Sequence, residues 1–365
     1  MITALSDILR YFPFGLNSSD IQLCTIGHIN DTYIVRAGLN GRSQRFVLQR
    51  INLHVFRQPQ ALMDNIIKVT TFLREKIEQV GGNPDRETLT LIPTQEGNLY
   101  QITPQGEYWR AYRYIEGTRT YTQVENPAVL YQAGRAFGRF MQLLNEFPTH
   151  ELNETIPDFH HTPKRFQTLM RVVDADTYNR AYEVRDLIAQ AEARVSKMGW
   201  VVDALSNGKL PRRVTHNDTK FNNVLIDEAT NEAVCVVDLD TVMPGSALYD
   251  FGDFVRTGAN TSAEDERNLD KVGLDLEYFN EIARGFLEET RESLTPLERE
   301  WLPYSAWLLT FEVAMRFLTD YLEGDVYFRI HHAKHNLERA RAQFKLASDI
   351  ERKEAALARI IARYS

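Results

Sequence analysis

The stretch Val214-Thr215-His216-Asn217-Asp218-Thr219-Lys220-Phe221-Asn222-Asn223 sets a histidine, a carboxylate and an amide in the order H-x-D-x-x-x-x-N. Fifteen residues past Asn223, the apolar run Val234-Cys235-Val236-Val237 ends in Asp238-Leu239-Asp240. A hydroxyl attacking a phosphoryl group needs a nearby proton acceptor, and phosphate charge needs a divalent ion held by hard oxygen donors. Asp218 is the candidate catalytic base. Asn223 and Asp238 offer an amide oxygen and a carboxylate as candidate metal ligands. His216 is expected to pack beneath the loop and fix its shape, and Lys220 to reach the γ-phosphate. Asn217-Asp218-Thr219 and Asn222-Asn223 would also suit ordinary turns. The second acidic motif, at kinase-like spacing, favours phosphoryl transfer with ATP and Mg²⁺.

Two short apolar runs, 223–226 and 233–237, flank the polar segment 227–232 and predict a hairpin that folds Asp238 back toward the Asp218 loop. Upstream, residues 21–35 and 44–51 read as strands, with a tight turn around Gly27-His28-Ile29-Asn30. A helix is expected over Pro59–Val80, with Ile66, Ile67, Val69, Phe72, Leu73 and Ile77 as its buried stripe and Gly81-Gly82-Asn83-Pro84 as its stop. Strands are expected again near Gly97–Thr103 and Tyr108–Ile115. Beyond Ala128 the pattern turns helical: Leu130–Glu146, a long stretch over Tyr178–Leu205, then Leu276–Glu292, Trp301–Glu323 and Leu337–Tyr364. These elements predict an α+β, two-lobe protein-kinase-like fold. A small β-rich N-terminal lobe, 1–117, would bind nucleotide, and a larger, mostly helical lobe, 118–365, would carry catalysis and substrate binding. The base and metal motifs fall on loops of the larger lobe, with the cleft expected between the lobes.

Composition sets the outer limits. The chain has 365 residues, 43% hydrophobic and 25% charged, and a formal charge of −8. An acidic surface disfavours nucleic acid as a partner. Cys24 and Cys235 sit in apolar, strand-like contexts and read as buried thiols, not as a disulfide framework or a zinc site. Met1–Arg10 lacks a basic stretch followed by a long apolar core, and no 18-residue apolar run occurs. A cytoplasmic protein without a membrane partner is expected, and nothing in the chain requires more than a monomer.

On the nucleotide side, Gly27-His28-Ile29-Asn30-Asp31 occupies the place of a glycine-rich loop but carries one glycine. It reads either as a plain hairpin turn or as a phosphate-binding loop in which Gly27, His28 and Asn30 meet the nucleotide. On the next strand, Phe46-Val47-Leu48-Gln49, glutamine stands where such kinases carry a phosphate-binding lysine. A neutral amide can hydrogen-bond a phosphate but adds no charge.

With these motifs in view, the chain resembles the bacterial N-acetylhexosamine 1-kinases, within the aminoglycoside phosphotransferase and choline kinase group. The resemblance runs through Gly27–Tyr33, the Gln49 strand, Arg213–Lys220, Asp238–Gly245, Leu248–Asp253 and Met315–Phe328, and spans roughly residues 20–350. It implies an ATP- and Mg²⁺-dependent enzyme that phosphorylates the anomeric hydroxyl of N-acetylglucosamine or N-acetylgalactosamine. The family's base falls on Asp218, its metal carboxylate on Asp238 and its sugar contacts on Arg316 and Tyr327. Read from the residues alone, Arg316 has Glu312 and Asp320 at i−4 and i+4, so a local ion pair competes with a role at a sugar. Tyr327 suits core packing equally well. Asp250 and Asp253 read as helix caps or as braces for the catalytic loop. His331, His332 and His335 lack an acidic partner at a recognisable metal-binding spacing and are expected to be solvated or helix-capping groups.

Overall fold

The computed structural model describes residues 5–14, 18–24, 29–39, 42–121, 124 and 126–365. The backbone divides into two compact units. One comprises Met1–Arg119, Glu146–Ile156 and Leu225–Met243, and the other comprises Thr120–Asn145, Pro157–Val224 and Pro244–Ser365.

The first unit is built on an antiparallel sheet. Strands β1 (Ser18–Cys24), β2 (Asp31–Leu39), β3 (Arg42–Arg50), β4 (Gln101–Ile102) and β5 (Tyr108–Arg113) lie in the order β1-β2-β3-β5-β4. A short helix, α1 (Leu5–Leu9), and the segment after it bring Ile8, Leu9, Phe12 and Phe14 into one buried cluster with Val35, Ala37, Phe46, Leu48, Trp109 and Ala111. The rings of Phe12, Phe14 and Phe46 stack in series. Helix α2 (Pro59–Gln79) starts on a proline and buries Leu62, Met63, Ile66, Val69, Leu73 and Ile77. Ile67 and Phe72, assigned to that stripe from sequence, lie at its margin and are half-buried. The turn α3 (Pro84–Glu87) is capped by Asn83. The expected strand at 97–103 shrinks to two residues, because Gly97 (φ +85°) closes a turn between Thr94 and Asn98. A second, three-stranded sheet joins β6 (Thr118–Arg119) to β7 (Val224–Asp227) and β8 (Ala233–Val236). The hairpin expected before Asp238 is present and belongs to this unit.

The second unit is helical: α4 (Pro127–Leu143), α5 (Thr162–Ala175), α6 (Arg185–Glu192), α7 (Trp200–Ser206), α8 (Ala247–Gly258), α9 (Leu276–Thr290), α10 (Pro296–Leu322) and α11 (His335–Ile361). Helices α4 and α9 meet through glycine: a Cβ on Gly134 would lie 2.7 Å from the Ile282 carbonyl oxygen, and one on Gly138 2.8 Å from that of Phe286. The long helix α10 opens on a capping box formed by Thr295 and Glu298, and its middle is buried on nearly every side. The continuous helix expected over 178–205 is broken into α6, α7 and two single turns. Arg194 donates to the Gln190 carbonyl (3.0 Å) and turns to Glu351 of α11 (2.8 Å), which ends α6. Helix α8 is not among the helices expected from the sequence; almost all its residues are buried. Among the described residues, no helix is long and apolar enough to cross a membrane.

Candidate active site

The H-x-D-x-x-x-x-N loop lies in the helical unit, between a strand at Arg213–Thr215 and a single 3₁₀ turn at Phe221–Asn223. Its shape comes from two buried carboxylates on helices. Asp250 of α8 accepts the backbone N–H of His216 at Oδ2 (2.9 Å) and that of Asn217 at Oδ1 (2.8 Å). Its own carbonyl accepts the Thr219 hydroxyl (2.6 Å). Asn217 bends the chain in the left-handed region (φ +64°), which asparagine tolerates better than most residues. His216 is fully buried, its ring set edge-on between Phe137 and Phe140 of α4, and its Nδ1 accepts the Asp218 N–H (3.3 Å). The second carboxylate, Glu312 of α10, receives the Thr162 hydroxyl (2.6 Å) and faces His160 Nδ1 (2.8 Å), while His160 Nε2 lies 3.4 Å from the Asn217 carbonyl. Burial alone would raise the Glu312 pKa; the charge and hydrogen bond of His160 and the Thr162 hydroxyl outweigh it and hold the carboxyl below its ordinary value.

Asp218 ends this scaffold half-buried, with Lys220 Nζ 2.7 Å from its Oδ1. Asn223 Nδ2 donates to the Asp218 carbonyl (2.8 Å) and lies 3.4 Å from Oδ2, so the amide oxygen of Asn223 is turned away from Asp218. Burial pushes the Asp218 pKa up, but the adjacent Lys220 ammonium, with His216 and Arg256 farther off, more than reverses this and keeps the carboxyl below its usual range. The same attraction, aided by Asp253 and Glu264, holds Lys220 above its ordinary value despite burial. Asp253 has a partner of its own, Arg256 (2.8 Å), which also reaches Glu264 (2.7 Å).

Of the two aspartates read as helix caps or as braces, Asp250 is thus the brace of the loop. Asp250→Ala is expected to leave two buried N–H groups without acceptors, at about 1–3 kcal/mol each. Chemical denaturation should show the loss of stability, and turnover should fall with it because the Asp218 loop loses its template.

The Asp238-Leu239-Asp240 turn lies in the sheet unit. Asp238 is exposed and left-handed (φ +63°, ψ +59°), and a 3₁₀ turn follows over Leu239–Thr241. Asp240 is buried, with Arg110 Nη2 of β5 2.6 Å from Oδ1 and Asn30 Nδ2 donating to Oδ2 at 2.6 Å. Gln49 stands directly opposite Arg110 in the sheet; its Oε1 accepts from Arg110 Nε (3.1 Å) and Nη2 (2.9 Å), and its Nε2 donates to Thr32 Oγ1 (3.0 Å). Helix α2 secures the segment that follows: Asn65, buried, donates to the carbonyls of Val242 (2.9 Å) and Asn153 (2.8 Å). Gly27 and His28 lie outside the described residues.

One turn along α10 from Glu312, Arg316 pairs with neither that residue nor Asp320. Glu312 serves His160 and Thr162, and Asp320 accepts the backbone N–H groups of Val326, Tyr327 and Phe328 and the amide of Asn336. The Arg316 guanidinium instead lies 5.4, 5.9 and 5.5 Å from the ring centres of Phe159, Tyr327 and Phe328. Tyr327 is exposed, and Phe328 packs on Phe317. A second guanidinium, Arg165, donates to the Phe159 carbonyl (2.9 Å); burial, and then the charge of Arg316, push its pKa down. Of the histidines at 331–335, His331 is exposed as expected, while His335 is buried with Asp265 at 2.9 Å and His332 meets Glu338 at 2.7 Å.

The structure therefore joins Asp218 to Lys220 and Asn223, joins Asn30 and Gln49 through Arg110 and Asp240, and sets Tyr327 beside Arg316. The sequence reading missed His160, Arg110 and Asn65. A lone histidine before a helix gives no signal, but Arg110 did give one: a charged residue between the aromatic and apolar residues Trp109 and Ala111, in mid-strand, calls for a buried partner.

Residues 20–283 match the model of a family described as the phosphotransferase enzyme family. Among solved structures, an aminoglycoside phosphotransferase from Alicyclobacillus acidocaldarius superposes with a TM-score of 0.64 at 12% identity, covering 100% of this chain and 98% of the other. A choline kinase from Cryptosporidium parvum gives 0.61 at 12% identity, covering 96% of each chain. A spectinomycin phosphotransferase solved with ADP and spectinomycin gives 0.54 at 14% identity, again covering 96% of each. At these identities the likeness is one of fold, and the expected α+β, protein-kinase-like architecture is the one observed.

Proposed function

Since the chain belongs to the phosphotransferase enzyme family, we propose that it is an ATP-dependent kinase that phosphorylates the anomeric C1 hydroxyl of N-acetylhexosamines such as N-acetylglucosamine and N-acetylgalactosamine. The observation that carries the phosphotransfer half is the Asp218 loop: a carboxylate kept ionised, on a scaffold fixed from α8 and α10, beside a lysine. Asp218 accepts a hydrogen bond from the attacking hydroxyl and takes its proton as the new P–O bond forms. Lys220 offers its ammonium to the transferring phosphoryl group. An anomeric hydroxyl is more acidic than an ordinary alcohol, so a carboxylate suffices as base. Asn223 and Asp238 supply an amide oxygen and an exposed carboxylate, a hard-oxygen donor set that suits Mg²⁺. The ion, when bound, neutralises phosphate charge. Gly27, His28, Asn30 and Gln49 line the nucleotide side in this reading.

The acceptor half rests on Arg316. Both acids on its own helix face are engaged elsewhere, and its guanidinium is framed by aromatic rings with Tyr327 exposed beside it. That surrounding suits a polyhydroxylated ring, which takes paired hydrogen bonds from a guanidinium and a face contact from an aromatic side chain. Two like-charged guanidiniums, Arg316 and Arg165, disfavour a cationic acceptor and set this reading above an amino alcohol or an aminoglycoside.

The test is a panel of N-acetylglucosamine, N-acetylgalactosamine, glucose, choline and an aminoglycoside with ATP and Mg²⁺, read by phosphorus NMR and a reducing-end assay. The expected products are N-acetylhexosamine 1-phosphates, with glucose a poorer substrate because a pocket built to pair the N-acetyl amide is left unsatisfied. A 6-phosphate with its reducing end intact, or preferential phosphorylation of choline, would overturn the sugar 1-kinase reading.

A further inference from the structure

Gln49 poses a question of charge. The resemblance leads to a lysine at this position on β3, and the residue is neutral. The fully buried Arg110 faces it from β5 in register, so that a lysine at 49 would meet a guanidinium with like charge. A glutamine instead offers Oε1 to two of the guanidinium's nitrogens and leaves Nη2 against Asp240. Burial alone would lower the Arg110 pKa; the charge of Asp240 first, with that of Asp238, more than reverses it. The chain of contacts is continuous. Thr32 holds Gln49, Gln49 holds Arg110, Arg110 holds Asp240, and Asn30 takes the second oxygen of Asp240 while its own Oδ1 accepts the Asn52 N–H (3.0 Å). Asp240 sits two residues after Asp238, inside the 3₁₀ turn that begins at the left-handed Asp238.

We propose that Arg110 is a positioning residue for the metal site: with Gln49 as its neutral rest, it fixes Asp240 and through it aims the exposed Asp238 carboxylate at the divalent ion. The cation missing from position 49 has moved to the neighbouring strand, where it serves the metal turn. The inference rests on reading Asp238 as a metal ligand.

The experiment uses the full-length protein and reads Mn²⁺ binding by electron paramagnetic resonance in the presence of ADP, with thermal stability, sugar KM and kcat measured alongside. In the double variant Arg110→Met with Asp240→Leu, apolar groups refill the buried space, so the unit has no unpaired charge to shed. It is expected to keep its melting temperature and sugar KM, to bind Mn²⁺ about 10–100-fold more weakly, and to lose kcat in proportion. Arg110→Lys is expected to recover part of the affinity. Should the double variant fail to fold, Gln49→Met serves in its place. It removes the acceptor that orients the guanidinium together with the donor to Thr32, and, with ADP affinity measured alongside to separate the nucleotide contact assigned to Gln49, is expected to weaken Mn²⁺ binding at saturating ADP. Parental Mn²⁺ affinity in the folded double variant, or in Gln49→Met if that replaces it, would overturn the proposal. Asp238→Asn, run in parallel, separates the two ideas. If it abolishes Mn²⁺ binding while the double variant does not, only the positioning role falls. If it leaves binding intact, the metal-ligand reading falls and the positioning role with it.

Discussion

Asp218→Asn is expected to fold, bind nucleotide and lose about 10²–10⁴-fold in kcat, the usual worth of positioned general-base help. The amide keeps the size and most of the hydrogen bonds of the carboxylate but cannot take a proton. Because Asp250 and Glu312 hold the loop from the other side, the melting temperature should barely move. The pH profile carries a second, independent signature. Lys220 holds the Asp218 pKa below its ordinary value, so the basic form is lost only as pH falls beneath the usual carboxylate range, and the acid limb of kcat/KM should lie there. Lys220→Met removes the opposing charge and leaves burial, which pushes the Asp218 pKa up. The acid limb should then move to higher pH, whatever happens to the plateau. An acid limb that stays in place would detach it from Asp218, and near-parental turnover of Asp218→Asn would remove that residue from the mechanism.

Asp238→Ala is expected to abolish turnover at ordinary Mg²⁺ concentrations, since it deletes the only carboxylate of the assigned ligand set and leaves phosphate charge poorly neutralised. Alanine is a poor occupant of left-handed backbone, so the comparison with Asp238→Asn matters: asparagine accepts that conformation and removes only the charge. Both variants should be inactive while only the alanine also loses stability. Activity retained in both at ordinary Mg²⁺ would mean that the second motif has another purpose.

How much could be read beforehand followed from the kind of physical signal each part leaves. The hairpin before Asp238, helix α2 and the later helices α9, α10 and α11 carry one-sided apolar patterns or turn residues, and each appears close to its expected place. The H-x-D-x-x-x-x-N loop was legible as a string of residue types. Its supports were legible only in part: Asp250 was one of two candidate caps or braces and acts through backbone N–H groups 33 and 34 residues away, while His160, which reaches Glu312 across 152, gave no signal. Contacts of that range are set by helix packing and have no local pattern. At Arg316 the rule of local spacing left an ion pair with Glu312 and Asp320 open as one alternative, and other partners took both acids.

The backbone of Asp238 has a consequence of another kind. A β-carbon at φ +63° is crowded, and glycine would relieve it at no steric cost. Mutation that drifts under pressure for stability alone would tend to empty that position of its side chain. A carboxylate kept there against that relief points to a demand other than backbone comfort. Position 238 is therefore a place where activity and durability pull in opposite directions, and a search for a hardier variant that screens only for heat resistance will tend to find its way there and return a well-folded, silent protein.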